Sequence, residues 1–301
     1  MKNRGEKQKE ILGFIGAGRV GSALSRLFHL YGFNISSIID RDINKAQNCQ
    51  KECGAWTSST NIEEIDKKTT IIFITVPDDI INDIGLALAE IGGFNSDVIV
   101  AHTSGLLSSD ILSPLRKKKI LLCSFHPCFS FTENFRGNLE NIPVAIEGDS
   151  KGCLRLEKLA RSIGANPFFI SKDDKLLYHI GCTVASNYLV ALMAFVQRIL
   201  GQLEQRKSLE IVLPMVRGTL DNIQKKGVDH ALTGPILRGD IKTIEKHLET
   251  LEEIDPDLTS VYRTLGRITL TIAERLGQDA KALHLIKVLF DSYDKTKEIS
   301  T

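Results

Sequence analysis

Gly16-Ala17-Gly18-Arg19-Val20-Gly21 places a Gly-x-Gly-x-x-Gly pattern directly behind the apolar run Ile11–Ile15. It opens a stretch of helix formers, Ser22, Ala23, Leu24 and Leu27. With 23 glycines in 301 residues, the bare pattern arises about 0.13 times by chance, so its setting carries the reading. In that setting the first glycine permits a tight turn, the second lets the backbone approach a pyrophosphate, and the third allows close helix–strand packing. The helix N-terminus then offers free N–H groups to the phosphates. Gly16, Gly18, Arg19, Val20 and Gly21 are therefore the candidate cofactor contacts. Asp40 stands 19 residues past Gly21, where an acid that binds the ribose belongs. Its carboxylate favours NAD, whereas the adjacent Arg41 could pair with a 2′-phosphate and favours NADP. The alternative is a glycine turn that joins strand and helix structurally, with Arg41 a solvated loop charge.

Three further segments are rich in chemistry. Thr75-Val76-Pro77-Asp78-Asp79, Ala101-His102-Thr103-Ser104-Gly105 and Phe125-His126-Pro127 each follow an apolar run. In an open parallel sheet, loops at the strand ends face the ligand crevice. Val76 and Pro77 would pack on the cofactor. Ser104 and Gly105 could offer a hydroxyl and an N–H to a substrate. His102 and His126 belong to the side-chain type whose ordinary pKa lies near neutrality, and Pro127 stiffens the loop beside His126. Either histidine could instead be structural. Further on, His179, Thr183 and Asn187 stand at i, i+4 and i+8 of an expected long helix and would form one polar stripe. Thr and Asn are poor helix-interior residues, so the stripe needs a reason. One reason is a site between two domains, with Asn187 on a substrate oxygen; interhelical hydrogen bonding is the other. In Leu232–Asp240, Arg238 has the fork geometry for a substrate carboxylate, and Asp240 either joins that site or caps the next helix. No spacing of cysteines and histidines suggests a metal site.

These residues need elements to position them. Apolar runs at Ile11–Ile15, Ile35–Ile39, Thr70–Val76, Val98–Ala101, Ile120–Cys123 and Pro143–Ile146 alternate with helical patterns such as Val20–Leu30 and Ile80–Ile91. Such alternation implies βαβ units and a mostly parallel sheet. A last run, Phe168–Ile170, precedes a purely helical pattern. A helix capped by Asp173 or Asp174 should run to about Glu204, and more follow, broken at Pro214, Gly227, Gly234-Pro235 and Pro256. The chain thus reads as α/β: an N-terminal Rossmann dinucleotide-binding domain over 10–171, then an all-helical domain over 172–301 for substrate and dimerisation. Its abundant apolar helix surface suggests a homodimer.

Net charge is +1, which argues against a nucleic-acid partner. A hydrophobic fraction of 43% with 25% charged residues is that of a globular protein. The six cysteines, Cys49, Cys53, Cys123, Cys128, Cys153 and Cys182, form no CxxC pair and read mostly as buried thiols of a reducing compartment. The expectation is a cytoplasmic protein with a short frayed N-terminal tail, Met1–Glu10, and no window close to a membrane span.

Taken together, FIGAGRVGSAL, TVPDD, HTSG, FHP, SNYLVAL and LTGPILRGD resemble the family that joins a Rossmann-like domain to DUF2520, within the 6-phosphogluconate dehydrogenase-like superfamily. The likeness spans about residues 10 to 275. Some relatives of this type are regarded as an alternative class of ketopantoate reductase. The resemblance therefore implies NADP- or NAD-dependent reduction of a 2-oxo acid, such as ketopantoate to pantoate, with a slight lean to NADP. One departure matters. Ordinary ketopantoate reductases and β-hydroxyacid dehydrogenases carry a helix Lys four residues before an Asn. Asn187 matches that Asn, but Thr183 occupies the Lys position and cannot act as the ammonium acid. His179 or His126 would then supply the proton, with Ser104 and Asn187 polarising the carbonyl and Arg238 holding a carboxylate. FHP also resembles a stretch of prephenate dehydrogenases, which makes that activity a competitor. Imine reduction competes as well, and so does a non-catalytic role as an NAD(P)-binding sensor.

Overall fold

The apolar runs become strands because both faces of a parallel sheet are covered, so every position can be apolar. The computed structural model describes residues 10–133, 135–203 and 209–298. The expected frayed tail, apart from Glu10, and the expected helix end at Glu204 lie outside the described residues. Strands β1 (Ile11–Ile15), β2 (Asn34–Ile39), β3 (Thr57–Ser59), β4 (Ile71–Ile74), β5 (Ile99–His102), β6 (Leu121–Pro127), β7 (Pro143–Gly148) and β8 (Asn166–Phe169) form one eight-stranded sheet. Their order is β3-β2-β1-β4-β5-β6-β7-β8. Every pairing is parallel except β6 with β7. The short, polar β3 has no apolar signal in the sequence.

Helices α1 (Arg19–Leu30), α2 (Ile43–Cys53) and α4 (Ser150–Ser162) cover one face, and α3 (Ile81–Ile91) with a 3-10 segment at Ser109–Lys118 covers the other. On the first face Phe73 stacks on both Phe14 and Phe28 and meets Phe125 edge-on, with ring centroids 5.2, 5.7 and 5.4 Å apart. Burial of each such ring stabilises the fold by roughly 1.5–3 kcal/mol. The chain runs outward from β1 to β3, then returns to place β4 on the other side of β1. Between β1 and β4 the winding reverses, and a crevice opens at the strand ends there.

By its contacts the chain divides into two units, 1–188 and 189–301. The first unit closes with α5 (Lys175–Thr183) and a π-helical turn, Val184–Tyr188. The second contains α6 (Leu189–Leu200), α7 (Leu213–Ala231), α8 (Ile241–Ile254), α9 (Pro256–Arg275) and α10 (Ala280–Glu298). Its core includes Ile244, Leu248, Leu270, Ile286 and Phe290. Pro214 and Pro256 start α7 and α9, where a missing N–H costs nothing. Gly227 takes φ 77° and kinks α7. The expectation that no window approaches a membrane span needs correction. Lys175–Leu200 is a 26-residue helical run long and apolar enough to cross a membrane by length and composition. Its apolar character is hard to see in the sequence because His179, Thr183, Ser186 and Asn187 interrupt it. One such helix is weak evidence for a membrane span.

Candidate active site

The turn after β1 is built so that only glycine fits at two of its positions. Gly16 adopts φ 105°, and a Cβ there would lie 2.7 Å from the Thr75 carbonyl oxygen. A Cβ on Gly21 would lie 1.9 Å from the Gly16 carbonyl oxygen. Thr75 locks this packing: its hydroxyl donates to the Gly16 carbonyl at 2.6 Å. Gly18, by contrast, faces open space. It caps α1, whose first turn carries no acid and receives no side-chain cap, so its N–H groups remain for an anion.

A cleft of about 520 Å³ lies on one side of this turn, lined by Gly16, Gly18, Asp40, Arg41, Lys45 and Val76 among others. Pro77, Ile80 and Ile84 add an apolar wall to it. A second hollow of about 380 Å³ shares Gly18 and Lys45 and adds Arg19 and Arg136. Asp40 Oδ2 accepts from the Ala17 N–H at 2.6 Å and Oδ1 from the Asp42 N–H at 2.9 Å. The carboxylate therefore ties the end of β2 to the glycine turn, and each oxygen keeps a lone pair. Val20 packs half-buried against the core of the first face. These features fit a dinucleotide: open backbone at the second glycine, a free helix N-terminus, an apolar slot, and cations beside it.

The rim after β5 and β6 is of another kind. His126 lies within β6 rather than in a loop beyond it, because antiparallel pairing with Ala145 of β7 extends the strand. Its Nδ1 lies 2.8 Å from the Tyr178 hydroxyl of α5. A Cβ on Gly105 would lie 2.9 Å from both His126 Nε2 and His179 Nδ1. The two imidazoles thus converge on the space that the missing side chain of Gly105 leaves. His179 Nδ1 is buried and has no protein partner among the described residues.

Burial, then the Lys175 ammonium, then His179 push His126 down to about 4. His126 is therefore neutral at pH 7, not poised near neutrality as its residue type suggests. Burial pushes the Tyr178 hydroxyl above the ordinary tyrosine range, so it keeps its proton. His102 is wholly buried and held down to about 3 by burial and Lys175. Its Nδ1 accepts from the Ser104 N–H, which leaves Nε2–H to donate to the Ser108 carbonyl. Its role is structural. Ser104 is similarly engaged. Its hydroxyl donates to Asp78 Oδ2 at 2.7 Å and accepts from the N–H groups of Leu106 and Leu107. With its proton and both lone pairs occupied, Ser104 shapes the loop.

Lys175 is a residue that sequence reasoning misses. It is 1% exposed, the first residue of α5. Its ammonium donates to the Ser104 carbonyl at 3.1 Å and the Ser124 hydroxyl at 3.0 Å. Ser124 in turn donates to Glu147, whose carboxylate also accepts from the N–H and hydroxyl of Ser109. A buried cation is thereby joined to a buried anion through one hydroxyl, the form in which interior charge is tolerable. Burial lowers the Lys175 pKa, while Glu147 and Asp78 raise it. A lysine that opens an apolar helix is a signal the sequence offers, but it looks like an ordinary first-turn residue.

The polar stripe needs correction too. Thr183 ends α5 half-buried, but Val184–Tyr188 is π-helical. A π turn adds a residue to each hydrogen-bonded ring, so Asn187 does not stack above Thr183 as i+4 spacing assumes. Asn187 is exposed on this turn. Helical insertions of this kind occur often at functional sites. In the second unit Arg238 is exposed, while Asp240 caps α8, accepting from the Thr243 N–H and hydroxyl.

A profile described as a Rossmann-like domain matches residues 3–127, and one described as a domain of unknown function, DUF2520, matches residues 142–269. Comparison with curated proteins gives no match. Among solved structures, a Bacteroides fragilis protein provisionally assigned as an NADP oxidoreductase is similar, with TM-score 0.74 and 20% identity over 88% of this chain and 98% of that one. A protein from Thermotoga maritima has TM-score 0.71 and 29% identity over 87% and 99%. An imine reductase from Pseudomonas sp. has TM-score 0.60 and 16% identity over 93% and 99%. The likenesses at 20% and 16% establish the fold: a Rossmann-like domain followed by helices.

Proposed function

This chain belongs to the family that joins a Rossmann-like domain to a DUF2520 domain, and from that premise we propose an NAD(P)H-dependent reductase of a small C=O or C=N compound. The observation that carries this reading is the convergence of His126 and His179 over Gly105, on the same strand-end edge as the glycine turn. Gly16, Gly18 and Gly21 hold the dinucleotide turn, α1 meets the phosphates, and Val76 and Pro77 wall the apolar slot. The cofactor, when bound, supplies the hydride. Arg41 and Lys45 beside the cleft, with Asp40 already fastening the turn, support NADP over NAD.

The chain's own residues handle the polarisation, and water supplies the proton that the reduced oxygen or nitrogen takes up. Tyr178 keeps its proton and donates it to His126 Nδ1, which leaves Nε2–H to point at the space above Gly105. A neutral imidazole that donates there polarises a carbonyl or imine without holding a full charge. His179 Nδ1 is the second group at that space. Lys175 acts behind them, keeping His126 neutral and gripping the Ser104–Gly105 peptide by its carbonyl. This supplies the ammonium charge that Thr183 cannot, from about two turns earlier on the helix. Asn187 remains a candidate substrate contact, for a carbonyl oxygen.

The substrate we favour is a 2-oxo acid, with ketopantoate the first to test, as the motif resemblance suggests. A second reading is imine reduction. It is supported by neutral donors at the rim and by the similar imine reductase. The protein is further taken as a cytoplasmic homodimer, supported by its six free thiols and by exposed Leu177, Val184, Tyr188 and Val190. The test is loss of NADPH or NADH absorbance with ketopantoate and, separately, with cyclic imines. Turnover of ketopantoate establishes the oxo-acid reading. Turnover of imines alone replaces it. Binding of NADPH with no turnover of either contradicts a reductase at this site.

A further inference from the structure

The six cysteines fall into three neighbouring pairs. Cys49 and Cys53 contact each other on α2, and Cys123 and Cys153 contact each other between β6 and α4. All four are buried, at most 7% exposed. The third pair differs. Cys128 and Cys182 are both half-exposed, and their sulfurs lie 3.6 Å apart although 54 residues separate them in sequence. Cys128 follows β6 two residues beyond His126, with its N–H fixed on the Pro143 carbonyl at 2.8 Å. Cys182 lies in the last turn of α5, one turn past Tyr178, and both sulfurs adjoin the Tyr178 hydroxyl.

We infer that Cys128 and Cys182 are a reversible dithiol–disulfide pair, a modification site that ties the strand end carrying His126 to the helix carrying Tyr178 and His179. The chemistry needs an oxidant, and hydrogen peroxide is the one proposed. The sulfur of one cysteine attacks the peroxide, the O–O bond breaks, and sulfenic acid and water form. The second sulfur then displaces the hydroxyl, which leaves as water with that thiol's proton. Overall two thiols lose two electrons and two protons, and one peroxide becomes two waters. A small thiol reverses the reaction by exchange through a mixed disulfide. The sulfurs need to close from 3.6 Å to about 2 Å, a movement that side-chain rotation at half-exposed positions can supply. Burial, then Cys128, raise the Cys182 pKa, so Cys182 keeps its proton and can donate it to the Cys128 sulfur. The Cys123–Cys153 pair, at most 7% exposed, serves as an internal control, whereas Cys49 lines the second hollow beside Gly18 and Arg19 and so is not shielded by burial alone.

The test treats the full chain with hydrogen peroxide, quenches with acid, blocks remaining thiols with N-ethylmaleimide under denaturing conditions, and maps unreduced tryptic peptides by mass spectrometry. The expected result is loss of two of the six thiols and one link, within a chain, between peptide 120–136 and peptide 176–198. Dithiothreitol should remove it. Cys128→Ser and Cys182→Ser should each abolish the link, whereas Cys123→Ser, in the same peptide as Cys128, should retain it. Fragment ions from the wild-type link assign the sulfurs even where a variant fails to fold. Six intact thiols at peroxide levels that oxidise free cysteine, a link to Cys123 or Cys153, a link between chains, or sulfinic acid without a link would each overturn the inference. The readout is the thiols themselves, so it stands or falls separately from the reductase reading.

Discussion

The glycine turn after β1 and the rim after β5 and β6 share one edge of one sheet, yet they are held by opposite means. The turn is held by backbone sterics. Gly16 and Gly21 leave no room for a methyl group, and the Thr75 hydroxyl closes the contact. The rim is held by buried charge. Lys175, Ser124 and Glu147 form one chain of hydrogen bonds, and the field of Lys175 bears on His102 and His126. Steric fit has one solution and fails at once when disturbed. An electrostatic arrangement can be retuned by pH or by one substitution. A site that binds a fixed cofactor and reacts with a varying substrate has use for both.

The largest effect should come from attacking the sterics. Gly21→Ala puts a methyl carbon into the Gly16 carbonyl and should cost at least about 3 kcal/mol in denaturant unfolding, with loss of NADPH binding. A variant that unfolds and binds like wild type would break the steric half of the comparison. Next comes acid. Folded His126 titrates at about 4, while an unfolded histidine titrates near about 6.5. Above that higher value both states are neutral and stability is complete. As pH falls towards 4 the unfolded chain takes a proton that the folded one refuses. Roughly 3 kcal/mol should therefore be lost over that interval from His126 alone. Unfolding curves that coincide at pH 7 and pH 4.5 would show that the imidazole is not held neutral.

Lys175→Met should sharpen the electrostatic half. Removing the ammonium should raise the His126 pKa, read from its imidazole proton shift in NMR titration. Turnover should fall about tenfold or more while NADPH affinity stays the same, which a merely structural lysine would not produce. The smallest effect tests the turn's neighbours. Replacing Arg41 and Lys45 together with Ala should weaken NADPH about tenfold, as loss of charged contacts to a 2′-phosphate does, and leave NADH unchanged. Equal weakening of both cofactors would place those cations on the shared pyrophosphate instead.

The same contrast explains what could be read from the sequence. The turn was legible because strand geometry and glycine stereochemistry are local: Gly16, Gly18, Gly21 and Asp40 could be placed from their spacing together with the apolar run before them and the helix formers after them. The strands β1, β2 and β4 to β7 were legible as apolar runs, and β8 in part, through the run Phe168–Ile170. β3 was not, since three polar residues at a sheet edge leave no pattern. At the rim, residue type suggested the wrong protonation for His126, because its pKa depends on a lysine 49 residues away in sequence. Lys175 itself could not be singled out, since its burial is a property of the fold. Counting by fours on the helix misplaced Asn187, because the π turn is not encoded in apolar periodicity.

The central claim is that a neutral His126 at the rim serves a cofactor held by the glycine turn. It is tested most directly by comparing wild type with His126→Gln in two assays on the same preparations: NADPH binding by fluorescence, and NADPH oxidation with ketopantoate and with cyclic imines. The account predicts equal NADPH affinity and turnover reduced about 100-fold in the variant, the loss expected for one polarising donor. Equal turnover in both proteins would contradict it.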